Sequence, residues 1–144
     1  SNQNRINLHT KRIHSIIGSK IKNKKIAFLG VTFKPNTDDM RDSTSLSMIP
    51  ALIKKGAKVS YYDPSGEKNE FSKFKNIIYV NSIVEACRNA DLIIIHTEWD
   101  EFKAINFRKI IKNKKIKIFD MRNLYSSQKM KNLGLSYYSI GRSL

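Results

Sequence analysis

One cysteine in 144 residues, Cys87, rules out an internal disulfide, so the fold must stand on its own core instead of covalent staples. The three histidines are scattered at positions 9, 14 and 96 and offer no spacing suited to a metal site. No long uncharged apolar run and no signal-like start is visible, which leads us to expect a soluble cytoplasmic protein without membrane contact. Acidic residues are scarce: 12 Asp and Glu stand against 27 Lys and Arg, a formal charge of +15. That excess raises a nucleic-acid reading. The cations are nevertheless spread among many Ile and Asn residues, without the clusters and stacking aromatics that such recognition uses. A basic nucleic-acid binder is therefore kept only as an alternative, while the positive field would still attract any polyanion.

What is present suffices for one core, since 40% of the residues are hydrophobic at the length of a single domain. The organising stretch runs from Lys24 to Ser45. Lys25 to Leu29 reads as a buried parallel strand ended by Gly30, and a polar loop follows. Pro35 pushes Lys34 toward extended backbone, which would hold its side chain out over the strand end. Asp42 or Ser43 is placed to cap a helix with apolar positions Leu46, Ile49, Leu52 and Ile53, stopped by Lys54, Lys55 and Gly56. Pro50 inside that helix removes one hydrogen bond, to the carbonyl of Leu46.

Elsewhere, Ile6, His9, Ile13, Ile16 and Ile17 make one stripe of an amphipathic helix over residues 1–17, joined to the first strand by a linker over residues 18–24. Strands are expected at Val59–Tyr62, Ile77–Val80, Leu92–Ile95, Ile116–Phe119 and Leu135–Ser139. Between the second and third lies a polar loop or short helix. Ser82 caps a helix through Arg88 with Val84 and Cys87 on one face, which makes Cys87 a small buried residue. Ser126 or Ser127 begins a last helix, ended by Gly134. Asp63 ends the second strand where a dinucleotide fold often holds a ribose. Pro64 follows it, however, and the first loop lacks Gly-x-Gly-x-x-Gly, so Asp63 reads as a turn residue.

Strands alternating with helices give an α/β fold: a doubly wound, Rossmann-like parallel sheet with helices on both faces, preceded by an N-terminal helix. In such sheets ligands bind beyond the carboxyl ends of the strands. Three polar loops leave carboxyl ends, at residues 31–42, 96–102 and 120–124. A doubly wound order would gather them in one crevice, with Lys34, Arg41 and Arg122 as cations and Phe33 and Trp99 as aromatic surface. That inventory suits a phosphate-bearing ligand. Asp38, Asp39 and Asp42 would repel one, so some of them must pair with Arg41 or Lys34 or turn away. An ion-paired loop without a ligand stays open at this point. His96 is assigned no catalysis.

Gly30-x-x-Phe33-Lys34-Pro35-x-Thr37-Asp38-Asp39-x-Arg41-x-Ser43, then Asp63-Pro64, Thr97-Glu98-Trp99-Asp100-x-Phe102 and Phe119-Asp120-x-Arg122-Asn123, resemble in order the C-terminal, UDP-binding domain of the UDP-glucose/GDP-mannose dehydrogenase family. The Thr97–Phe102 segment is more similar to the UDP-glucose 6-dehydrogenase branch than to those acting on GDP-mannose or UDP-N-acetylmannosamine. The resemblance implies oxidation of UDP-glucose to UDP-glucuronate with two NAD, through a cysteine-bound thiohemiacetal and thioester. It implies contacts to the UDP-sugar from Phe33, Lys34 and Arg122. A contact from Arg41 would reach NAD held mainly by an N-terminal domain, and Asp38, Asp39, Glu98, Trp99 and Asp120 would support the site. The family's catalytic cysteine and glycine-rich fingerprint match nothing here, so no catalytic residue is expected in this chain and the chain alone is expected to be inactive. Residues 1–19 would be the C-terminal part of an interdomain helix that also makes a homodimer, and residues 20–144 the UDP-sugar-binding domain. The alternative readings are a free-standing nucleotide-sugar-binding module or relic, and a dehydrogenase of another nucleotide sugar, UDP-N-acetylmannosamine or GDP-mannose.

Overall fold

The computed structural model describes residues 2–18, 20–113 and 115–141. Six helices and six strands follow one another along it: α1 (Asn2–Ile17), β1 (Lys25–Leu29), α2 (Ser45–Lys54), β2 (Lys58–Tyr62), β3 (Ile77–Tyr79), α3 (Ile83–Cys87), β4 (Leu92–Ile95), α4 (Asp100–Lys103), α5 (Phe107–Ile110), β5 (Lys117–Asp120), α6 (Ser127–Asn132) and β6 (Ser136–Ser139). All pairings are parallel, in the order β3-β2-β1-β4-β5-β6. β1, β4 and β5 are neighbours, so the expected crevice beyond their carboxyl ends exists.

The strands bury both faces, and their alternation sorts side chains into two cores. Ile26, Phe28, Val59, Tyr61, Leu92, Ile94 and Phe119 face α1 and α2, where Ile13, Ile16, Met48, Ile49 and Leu52 close the layer. Ala27, Leu29, Ile93, Ile95 and Ile118 face the other way, onto Ala86 and Cys87 of α3, Phe102, Phe107 and Met130. The stripe of α1 therefore packs on its own sheet. Gly18 ends that helix in the left-handed region at φ +73°, and the Lys117 ammonium donates to the Ile16 carbonyl at 2.6 Å, which satisfies an orphan acceptor at the negative end of the helix dipole.

Several expectations are corrected. Neither Asp42 nor Ser43 is the cap position of α2. Asp42 sits at φ +62°, and Thr44 precedes the first helical residue without a side-chain cap bond. Ser43 and Ser45 instead donate their hydroxyls to the Val31 carbonyl at 2.5 and 2.6 Å, because that carbonyl loses its ladder partner where the chain leaves the sheet. α2 runs through Pro50. Val84 is 51% exposed while Cys87 is buried, since α3 has only five residues and Val84 overhangs the groove at the amino ends of the strands. The polar stretch before β3 holds a short 3₁₀ turn, Asn69–Phe71, anchored by buried Phe71. Strand bounds shift by one residue at β2, β3, β5 and β6.

Candidate functional site

The loop after β1 is fixed from three sides before any ligand is considered. Gly30 has φ +79°, and a Cβ there would lie 2.6 Å from Thr97 Cβ, so only glycine lets the β1 and β4 ends touch. The Val31 amide donates to Asp63 Oδ2 at 2.8 Å, and the Ser65 amide to Asp63 Oδ1 at 2.9 Å. Asp63 is thus a buried clamp between the β1 and β2 ends, a role beyond the plain turn read from sequence. Thr97 Oγ1 donates to the Thr32 carbonyl at 2.7 Å.

That last bond determines the state of His96. The single Thr97 hydroxyl proton is committed to Thr32, so the contact at 3.0 Å between Thr97 Oγ1 and His96 Nδ1 requires Nδ1 to carry hydrogen. Nε2 then accepts from Thr44 Oγ1 at 3.0 Å. Burial, with help from the Arg122 and His9 charges, pulls the His96 pKa down to about 3. The ring is a neutral crosslink between the β4 end and the start of α2.

At the end of β5, buried Asp120 accepts from the amides of Arg122, Leu124 and Tyr125 at 3.0, 2.7 and 3.1 Å and from the Tyr137 hydroxyl at 2.6 Å. Its carboxylate holds the loop that carries Arg122. The Arg122 guanidinium donates through Nε to the His96 carbonyl at 2.8 Å and through Nη2 to the Phe33 carbonyl at 2.9 Å. Glu98 lies 3.8 Å from Nε. One side chain therefore ties the β1, β4 and β5 loops together.

Phe33, Arg122, Thr44 and His96 line a cavity of about 240 Å³ whose other walls are Arg5 and His9 of α1, Met121 and Ile140. Phe33 is 51% exposed at its rim. Larger cavities of about 400 and 550 Å³ open at the amino ends of the strands, around Ile116, on the edge where doubly wound folds do not bind ligands.

Of the residues singled out from sequence, the structure brings Phe33 and Arg122 together at this cavity and leaves others outside its wall. Lys34 is exposed and is not among the lining residues. Arg41 forms a fork with Asp39, with Nε 3.0 Å from Oδ1 and Nη2 2.8 Å from Oδ2. Its hydrogen bonds and charge hold the Asp39 carboxyl down at about 2. The Arg41 side chain is 87% exposed, and Asp38 is exposed too. Trp99, half-buried, is not among the residues that line this cavity. It packs against the core layer that holds Cys87 and Phe102, with Nε1 buried and without a hydrogen-bond partner among the described residues. The sequence does not single out Arg5 or Thr44, and it places His9 only in the helical stripe. The available signal was the four-residue spacing of Arg5 and His9, which puts them on one flank of α1.

A sequence profile of the UDP-glucose/GDP-mannose dehydrogenase family, UDP binding domain, matches residues 27–127. The chain belongs to that family. It is 39% identical over 142 residues to a UDP-glucose 6-dehydrogenase of Rhizobium meliloti, covering 98% of this chain and 32% of that protein. It is 36% identical over 147 residues to one of Rickettsia conorii, covering 100% and 34% respectively. The chain thus spans about a third of the length of these relatives. Among solved structures, an NDP-N-acetyl-D-galactosaminuronic acid dehydrogenase from Methanosarcina mazei Go1 superposes with a TM-score of 0.77 at 24% identity, covering 96% of this chain and 29% of that one, a likeness of fold. Among the described residues no helix is long and apolar enough to cross a membrane.

Proposed function

We propose that this chain is the nucleotide-sugar-binding part of a UDP-glucose 6-dehydrogenase, a cytoplasmic enzyme that oxidises UDP-glucose to UDP-glucuronate at the expense of NAD. The observation that supports it best is the joint placement of Phe33 and Arg122. An exposed aromatic and a guanidinium fastened to the Phe33 carbonyl share the rim of a cavity beyond β1, β4 and β5, where an α/β sheet binds nucleotides. Phe33 offers a flat face to a base or sugar, Arg122 a planar donor set to phosphate, and Lys34 a second cation from the exposed loop.

The chain's own residues do not fit NAD at the position where a Rossmann fold seats it. A dinucleotide needs free amides and space after the first strand. Here the Val31 amide is held by Asp63, and the space beside Gly30 is filled by Thr97. The cofactor is therefore assigned to the portion of the relatives that this chain does not match. Arg41, exposed and released from Asp39, would be the contact offered to it. In the same reading residues 1–19 are the end of an interdomain helix that contributes to a homodimer, residues 20–144 are the UDP-sugar-binding unit, and Asp38, Asp39, Glu98, Trp99 and Asp120 shape the loops.

The test is calorimetry of the chain with UDP and UDP-glucose, repeated with Phe33→Ala, Lys34→Ala and Arg122→Ala. Binding by the native chain that weakens in the Phe33 and Arg122 variants is expected. A native chain that binds neither ligand removes the reading.

A further inference from the structure

We propose that the amino edge of the sheet is a second binding surface, which takes an acidic peptide segment carrying aliphatic side chains. Three adjoining cavities form it, at the edge opposite to Phe33 and Arg122. The cavity of about 550 Å³ lies between the ends of α3 and α5. It shares Lys112 and Ile116 with the one of about 400 Å³ beside α6, and Arg88 and Ala90 with one of about 180 Å³ at the starts of β1 and β2. Ile78 of β3 borders one end of this row, and Leu133, between α6 and β6, the other. The row therefore crosses the whole sheet, about 24 Å at strand spacings of roughly 4.8 Å. An extended peptide of about eight residues spans that distance.

Positive charge and exposed apolar surface coincide along the row. Lys25, Lys58, Arg88, Arg108, Lys109 and Lys112 line it, all exposed and none with an ion-pair partner among the described residues. Asp91 is the single carboxylate in the lining, and its Oδ2 already accepts from the Lys25 amide at 2.9 Å. The excess is local and not only the mark of a basic chain, since Asp38, Asp39, Asp42, Asp63 and Glu98 all follow carboxyl ends of strands. Each cavity also holds one exposed aliphatic side chain: Leu133 at 41%, Val84 at 51% and Ile78 at 58%. Cations that merely complement helix carboxyl ends would account for the charge near α3 and α5 but not for these aliphatics. A peptide accounts for both, with carboxylates paired to the rim and apolar side chains in the cavities. Nucleic acid fits the row less well, because no aromatic side chain lines it to stack on a base. Small ligands belong to the other edge of such a sheet.

Fluorescence anisotropy at physiological ionic strength tests the surface with three labelled probes. They are a peptide of about eight residues alternating Glu and Leu, one alternating Glu and Ser, and an oligothymidylate of equal charge. The Glu–Leu peptide is expected to bind, and the Glu–Ser peptide to bind about tenfold or more weakly, the scale of burying one or two aliphatic side chains. Arg88→Glu combined with Lys112→Glu should weaken the Glu–Leu peptide by about tenfold or more. Lys11→Glu combined with Lys129→Glu, which reverses the same charge away from the row, should leave it bound. Val84→Ser should bring the Glu–Leu affinity toward that of the Glu–Ser peptide. All these side chains are exposed, so the variants should melt with the native chain, and excess UDP should leave the peptide in place. A Glu–Leu peptide that fails to bind, or that both charge-reversed pairs weaken alike, overturns the surface. Oligothymidylate held more tightly than the peptide and lost with Arg88 and Lys112 overturns the peptide as its occupant. Displacement of the peptide by UDP moves its binding to the carboxyl edge and overturns the surface as well.

Discussion

Arg122 is a crosslink and a candidate ligand at once, and the two roles need the same planar fork. Nε and Nη2 face the His96 and Phe33 carbonyls, leaving the remaining donors for the cavity. A lysine ammonium at this position can satisfy one carbonyl or the ligand but not both. Arg122→Lys is therefore expected to lose nearly as much UDP affinity as Arg122→Ala, with roughly 1.5–3 kcal/mol at stake for each bond to a charged group. Calorimetry on the two variants decides, and retained affinity in the lysine variant would show that only charge matters. His96 carries a different prediction. Its folded-state pKa, about 3, lies below the ordinary 6.5, so across that window the unfolded chain binds a proton that the folded chain refuses. Stability is complete above pH 6.5 and is lost as pH falls, by up to about 1.4 kcal/mol per pH unit. His9, also lowered, adds in the same direction. Urea midpoints should fall from pH 7.5 to pH 5, and the His96 ring resonances should not titrate over that range; a titration near 6.5 would refute the buried neutral crosslink.

Among the elements, the junction of β1 and β4 has the least tolerance. Gly30→Ala meets both a left-handed backbone and a Thr97 side chain 2.6 Å away. Strain of about 1–3 kcal/mol for the backbone, with overpacking of similar size, predicts a variant several degrees less stable in a melt. Gly66→Ala, at φ +99° with open space beside it, should show the backbone part alone, and equal losses would refute the close approach. The strands were legible because their apolar runs are continuous, β4 most of all, and the crevice followed from the order of elements. The site was legible only in part. Phe33 and Arg122 stand in loops where polarity and spacing advertise chemistry. Thr44, Arg5 and His9 are ordinary helix-forming or capping residues until tertiary packing brings α1 over the strand ends. Val84 departs from its expected face for a related reason, since a five-residue helix has no periodicity long enough to show which side is buried. Asp63 looked like a turn residue because its partner, the Val31 amide, is 32 residues away.

At the scale of the whole molecule, the single thiol and the proposed binding residues stand at opposite edges of the sheet. Cys87, the single thiol, borders the groove at the amino ends of the strands, while Phe33 and Arg122 stand beyond the carboxyl ends. Burial pushes that thiol up to about 12, so roughly one in ten thousand would be ionised at pH 8, and the thiolate is the reactive form. It can neither reach a ligand on Phe33 nor attack it. Oxidation of an alcohol also needs a seat for the hydride acceptor, and the position after β1 is closed by Asp63 and Thr97. The chain alone is therefore expected to give no turnover of UDP-glucose with NAD, while binding UDP through the carboxyl edge. Addition of the portion of a relative that this chain does not match should restore some activity if α1 docks against it. The measurement is NADH absorbance with the purified chain, then with the added portion, and in each case with Cys87→Ser, which should change nothing. Turnover by the isolated chain that disappears in Cys87→Ser would mean that α3 opens far enough to deliver its thiol, and that the two-edged division of labour is wrong.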